Sequence, residues 1–302
     1  MNFRLASRSN KAFLSTAASR RDRFGPRYIG DREVIRTVTP DKMRYIQQKY
    51  YVPNNSALLV TGDVDPQKVF TMAERVFGDW KRSADPFVAD PVPPIPPLAG
   101  NQGVIAEQSV SAVTVLVQWQ GPSVRRDPGA TYAADVFSDA LNTPGSGFQQ
   151  RLVDSGLWQS VGVNYYTLNE VGPITISGQT TPGQLRRALA ALESEVKRLS
   201  DPGYFSADEL EAVKTQRAVE SAFGVERTSG LTHTVGFWWA VADVEYFMGY
   251  MDTMAKQTPA DLRSYATRYI VGKPHVTGVM LSPAARQQLR LTTDELAGRV
   301  TP

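Results

Sequence analysis

The sequence has 302 residues, 42% of them hydrophobic, with 33 Lys and Arg against 30 Asp and Glu, a balance ordinary for a globular chain of about two domains. It contains no cysteine, which excludes disulfides, thiolate zinc sites and cysteine nucleophiles, and its two histidines, His233 and His275, restrict metal chemistry. The net charge of +3 is local: residues 1–38 carry nine basic and three acidic side chains, so residues 39–302 are slightly acidic and lack the basic face that nucleic acid binding requires.

Residues 1–21 are rich in Arg and Ser and free of acids, a composition common to mitochondrial transit segments and to solvated helices. Gly30-Asp31 reads as a turn. A helix is predicted over residues 40–51, with Thr39 as N-cap, Pro40 at the first position and Met43, Ile46, Gln47 and Tyr50 on one stripe. Val52-Pro53-Asn54-Asn55 stops it, and residues 57–61 then read as a buried strand. Asp65 and Pro66 open a second helix with Val69, Met72, Ala73, Val76 and Phe77 on its apolar face, and Gly78 closes it. Six prolines between Ala84 and Gly100 predict an extended spacer.

Beyond the spacer, strands are predicted over residues 104–107 and 112–119, a helix over 128–141 and a Gly-rich turn at Pro144-Gly145-Ser146-Gly147. A short helix at 149–154 precedes a strand pair, 161–168 and 172–179. Helices follow over 182–199, 207–223, 231–242, 245–254 and from Pro259. Strands first and helices last, with no strict βαβ rhythm, predict an α+β fold: a mainly antiparallel sheet with helices packed on one face. The longest charge-free apolar stretch, residues 228–242, falls short of the ~20 residues a membrane span needs.

Residues 39–61 recur in degenerate form as residues 258–280, at a constant offset of 219. Six of the 23 positions are identical, among them Thr39/Thr258, Pro40/Pro259 and Tyr50/Tyr269, and both copies read as capped helix, turn, strand. A second domain that starts near Gly103 would place the start of its first-copy counterpart about 116 residues before Met1. The expected organisation is the C-terminal part of one domain over residues 1–83, a linker over 84–102 and a complete homologous domain over 103–302.

Catalytic patterns are lacking. Neither H-x-x-E-H nor H-E-x-x-H occurs, and His233 has no histidine or acid at i+3 or i+4. There is no G-x-S-x-G elbow, and Gly145-Ser146-Gly147 is too short to cradle a phosphate. The aromatic cluster Phe237, Trp238, Trp239, Tyr246, Phe247 and Tyr250 reads as core, or as the lining of an inter-domain chamber.

Several segments nevertheless resemble the insulinase/pitrilysin family of zinc metallopeptidases, the inverzincins. Residues 49–55, KYYVPNN, followed by a strand and Gly62-Asp63-Val64-Asp65, are similar to the family's signature after its zinc-binding region. Gly121-Pro122-Ser123, residues 152–157 (LVDSGL), residues 201–205 (DPGYF) and residues 233–239 (HTVGFWW) resemble the C-terminal half of bacterial members. The resemblance implies two homologous α+β domains closing around a peptide, with the zinc motif and its downstream glutamate outside this sequence. Where many members place an Arg and a Tyr to hold the substrate backbone, the matching segment offers Val153 and Gln159. Gln159 and Tyr165 are the candidate peptide contacts.

The expectation is therefore a metallopeptidase-family chain inactive on its own. It would be the substrate-chamber half or non-catalytic subunit of a peptide-degrading zinc protease, or a truncated form of one. A structural or protein-interaction module with the same fold is the alternative. No cofactor is expected in this chain, zinc being expected only in a catalytic partner or a missing N-terminal region. The expected partners are a peptide or unfolded polypeptide, and a second copy or a zinc-bearing homologous chain, with no nucleic acid and no membrane span. The resemblance implies the bacterial periplasm or envelope as compartment.

Overall fold

The computed structural model describes residues 32–299, Val92 excepted; the Arg- and Ser-rich segment and the Gly30-Asp31 turn lie outside the described residues. The first part of the chain folds into helices α1 (Arg32–Thr37), α2 (Pro40–Tyr50) and α3 (Pro66–Phe77), with a helical turn at Pro86–Ala89. Strands β1 (Gln102–Glu107) and β2 (Val113–Gln120) then lead into helix α4 (Pro128–Asn142), a π-turn at Gln150–Asp154 and strands β3 (Ser160–Tyr165) and β4 (Pro173–Thr180). Helices α5 (Leu185–Arg198), α6 (Ala207–Gly224), α7 (Thr228–Val241), α8 (Val244–Met248), α9 (Tyr250–Ala255) and α10 (Pro259–Tyr269) precede strand β5 (His275–Leu281), and α11 (Pro283–Leu289) and α12 (Thr293–Leu296) follow it.

The five strands form one sheet in the order β1-β5-β2-β4-β3. Every pairing is antiparallel except β1 with β5, because β5 returns to the sheet after the whole helical run and enters beside the first strand. The fold is thus α+β with a mainly antiparallel sheet, as the order of elements predicts. Val115 and Val117 of β2, Ile174 and Ile176 of β4 and Val279 of β5 share one core with Phe137 of α4, Leu192 of α5, Leu210 of α6 and Leu262 of α10. Phe137 sits at its centre, with ring centroids 5.6 Å from Phe205 and 5.1 Å from Tyr265. The opposite sheet face carries only two small apolar clusters, Ala106, Leu116 and Met280 in one, Leu98 and Val276 in the other.

Local chemistry fixes these positions. Thr39 and Thr258 each accept a hydrogen bond from the first turn of an 11-residue helix that starts with proline, so both copies of the repeat begin alike. Asp127 caps α4 and also accepts from Arg268 (2.7 Å) and Tyr269 (2.5 Å), which ties the end of α10 to the start of α4. Gly178 lets Trp158 lie on the sheet, since a Cβ there would come within 2.8 Å of the indole ring.

The two copies part company in their surroundings. Residues 57–61 belong to no sheet, contrary to the predicted buried strand, because no other described segment pairs with their backbone. The stripe Val69, Met72, Ala73, Val76 and Phe77 of α3 holds no buried residue. Within the spacer, Asp85 caps the helical turn at Pro86–Ala89, and the Lys49–Asp90 ion pair (2.5 Å) ties the end of that turn to α2. Helices α1, α11 and α12 are seven residues or fewer, too short for an apolar period to mark them in the sequence.

A matched pair of substitutions measures this asymmetry. Leu262→Ala in the buried copy is expected to cost ~2–5 kcal/mol, and Met43→Ala at the equivalent exposed position within about 0.5 kcal/mol of nothing, both read from urea unfolding.

Candidate functional site

The structure separates the two candidate peptide contacts. Gln159 is exposed just before β3, its backbone N–H donating to the Gln179 carbonyl at 2.8 Å. Tyr165, at the far end of β3, is buried in the core and its hydroxyl donates to the Pro122 carbonyl at 3.0 Å. Burial pushes the Tyr165 hydroxyl far above the usual phenol range, so it stays a neutral donor. Val153 is half-buried on the π-turn. His233 is exposed on α7, whereas His275 lies at the start of β5 against Trp119, ring centroids 5.4 Å apart, and burial holds its pKa below the ordinary value.

Strand β3 is an edge of the sheet, where an extended peptide could add. That edge is already engaged. Asn142, the last residue of α4, accepts from the Val163 N–H at 2.8 Å and donates to the Val163 carbonyl at 2.7 Å, as a neighbouring strand would. Gln149 donates to the Val161 carbonyl at 3.2 Å and to the Leu141 carbonyl at 2.9 Å. A peptide adding here must displace the Asn142 amide and strip two hydrogen bonds from Val163.

Beside this edge a cleft of about 460 Å³ opens between α4 and α6, lined by Asp139, Asn142, Pro144, Val213, Arg217 and Glu220. Asp135 and Asp139 stand one turn apart on α4, the spacing at which a helix can present two ligands to one cation. The cation present is the Arg217 guanidinium: its Nε and Nη2 donate to the two oxygens of Asp139, Nη2 at 2.9 Å, and its Nη1 donates to the Tyr250 hydroxyl at 3.0 Å. Tyr250 passes the chain on, donating to Asp135 Oδ2 at 2.6 Å. Burial, the largest influence, pushes the Asp135 carboxyl up, and Arg217 and the Tyr250 hydroxyl only partly offset it.

The donors of this cleft do not fit zinc. Of the three carboxylates there, Asp139 is already held by two guanidinium hydrogen bonds and Asp135 by the Tyr250 hydroxyl, and among the described residues no three His, Cys, Asp or Glu side chains converge to hold a metal. No serine or threonine there has a basic partner to activate it. The arrangement can brace α4 against α6 and α9, since its carboxylates, guanidinium and phenol are engaged with one another. A second cleft, of about 480 Å³, is bordered by Arg151, which pairs with the buried Glu195 at 2.6 and 2.8 Å, and by Tyr204, which donates to Glu195 at 2.5 Å.

The sheet face away from the helices is polar at its β3 end. Register places Ser160 opposite Gln179, Gly162 opposite Ser177 and Asn164 opposite Thr175. Gln118 extends the row by donating to Thr175 Oγ1 at 3.1 Å, and its buried Oε1 has no partner among the described residues. None of Asn142, Gln149, Arg217 or Gln118 is visible as a site in the sequence. Only the Asp135/Asp139 spacing gives a local signal, and Arg217 lies 78 residues beyond Asp139.

Asp135 has a folded pKa above its unfolded one, so its contribution to stability is present below the unfolded value, near 3.8, and is lost as pH rises through the folded one. Asp135→Asn should therefore gain on the parent protein between pH 4 and pH 7 in urea midpoints. A difference independent of pH would place the titration elsewhere.

Comparison with known proteins bears on this arrangement. The family model described as the peptidase M16 inactive domain matches residues 37–217. The zinc protease PqqE of Helicobacter pylori is 23% identical over 262 residues, which cover 84% of this chain and 57% of that protein. A solved M16-like peptidase from Alicyclobacillus acidocaldarius superposes with a TM-score of 0.72 at 18% identity, over 91% of this chain and 65% of its own. A chain of Complex III2 from Candida albicans, solved with Inz-5 bound, gives 0.71 at 12% identity, over 98% and 73%. The chain thus spans less than two thirds of the length of the two peptidase relatives. With the inactive-domain match covering more than half of its residues, the chain belongs to the peptidase M16 inactive-domain family.

Proposed function

We propose that this chain is the non-catalytic half of a peptide-degrading zinc protease, forming one wall of the chamber that holds the substrate. The observation that carries the reading is the sheet itself. Helices cover one face only, and the other presents the row Ser160, Asn164, Thr175, Ser177 and Gln179, hydroxyl and amide groups suited to extended polypeptide. Membership of the inactive-domain family and likeness to a zinc protease support it. Catalytic zinc would belong to a homologous partner unit.

A structural role is the second reading, favoured by the fold's likeness to a chain of Complex III2. Peptide binding separates the two. The purified chain is expected to retain no stoichiometric zinc after dialysis and to cleave no peptide, yet to bind an unfolded, fluorescently labelled casein by anisotropy. Asn164→Asp with Gln179→Glu should weaken that binding for an acidic casein. One zinc per chain, or peptide cleavage, would overturn the non-catalytic reading, and no casein binding would favour the structural one.

A further inference from the structure

The two arginines that border the second cleft, Arg151 and Arg198, are unequally engaged. Arg151 reaches from the π-turn to Glu195 of α5, which is almost fully buried, and its Nε and Nη2 fill both carboxylate oxygens at 2.8 and 2.6 Å. The Tyr204 hydroxyl adds a third donor to the same carboxylate at 2.5 Å, and the Tyr204 ring lies against the Arg151 guanidinium at 5.5 Å. Burial, with Glu195 beside it, pushes the Tyr204 phenol far above its ordinary range, so it remains a donor. Arg198, one turn beyond Glu195 on α5, approaches the same carboxylate only to 3.9 Å, too far for a hydrogen bond. Its side chain is 48% exposed and donates to no described residue.

Gly147 makes room for this arrangement. A Cβ there would come within 2.7 Å of Arg151 Nη1, so the glycine lets the guanidinium lie against the Gly-rich turn. Nη1 takes no part in the Glu195 pair and has no acceptor among the described residues. Both guanidiniums approach Glu195 Oε2 and are therefore neighbours at the cleft of about 480 Å³, whose other walls include Leu141, Phe148, Phe205 and Val213. The cleft belongs to the helical layer, on the other side of the sheet from the polar row of β3 and β4.

Charge narrows what the cleft can take. Two guanidiniums against one buried carboxylate leave a single positive charge, with donors on Arg198 and on Arg151 Nη1 still to be matched. Glu209, on the same wall and engaged by the Ser206 hydroxyl at 2.9 Å, opposes a second negative charge. We infer that the cleft is a binding site for a small carboxylic acid, its carboxylate held by Arg198 and Arg151 Nη1 and its apolar body against Leu141, Phe148 and Phe205. The site needs neither zinc nor a peptide, and so stands apart from the reading as a non-catalytic half.

Ligand-observed NMR titration of the full chain tests it, with benzoate, benzamide and inorganic phosphate as probes. Benzoate should bind, and benzamide, its neutral analogue of the same shape, should bind about tenfold or more weakly. Arg198→Gln should weaken benzoate by about tenfold or more while leaving the urea midpoint in place, because Arg198 has no hydrogen bond to lose. Gly147→Ala should also weaken benzoate, by displacing Arg151 Nη1. Arg187→Gln, exposed on α5 outside the cleft, should leave the affinity unchanged. No benzoate binding at about 10 mM, benzamide binding as tightly as benzoate, or phosphate binding more tightly would each overturn the proposal. So would an unaltered affinity in Arg198→Gln, or an equal loss in Arg187→Gln.

Discussion

A strand inside a sheet carries hydrogen-bonding groups along both edges, and each one left dry and unpaired costs about as much as a lost hydrogen bond. Strand β5 meets this constraint twice over, through β1 and β2, and the helices above it then close over Val279 and Leu281. Much of the second half of the chain follows from that pairing. It draws together residues near 104 and near 278, encloses the helical run between them and creates the floor on which Phe137 and Tyr265 meet. The first copy of the same sequence lacks the pairing, and its apolar residues stay in water. Each large side chain left there forgoes ~1.5–3 kcal/mol of burial.

Within the second half, the features that could have been a catalytic centre are neutralised internally. Two acids one turn apart on α4 are bridged by Arg217 and Tyr250, and the adjacent edge of β3 is occupied by the amides of Asn142 and Gln149. Half-buried charges of this kind are tolerated because each is paired and hydrogen-bonded. The same closure leaves the polar row of the β3 and β4 face outside the helical layer.

The capped helices were legible because their signals are local. Thr-Pro and Asp-Pro starts at Thr39, Asp65 and Thr258, and the apolar period of α5 and α10, depend on neighbours a turn away. The repeat was legible for the same reason, since both copies open on a Thr-capped helix that starts with proline. Pairing was not, since whether residues 57–61 become a strand is decided by a segment elsewhere. The arrangement of the candidate site was equally hidden. Tyr165 and Gln159 lie six residues apart in sequence, yet one is buried in the core and the other is exposed to water, and Arg217 reaches Asp139 across 78 residues.

The central claim is that the packed core lies within residues 113–296 and that residues 32–80 lie outside it. Limited proteolysis of the native monomer, with fragments identified by intact mass, addresses it most directly. The account predicts early cuts within residues 32–100 and a resistant fragment beginning near Gly100 and retaining β5, because cleavage follows the regions of low local stability. A resistant product that keeps α2 and residues 57–61 attached and intact would contradict it.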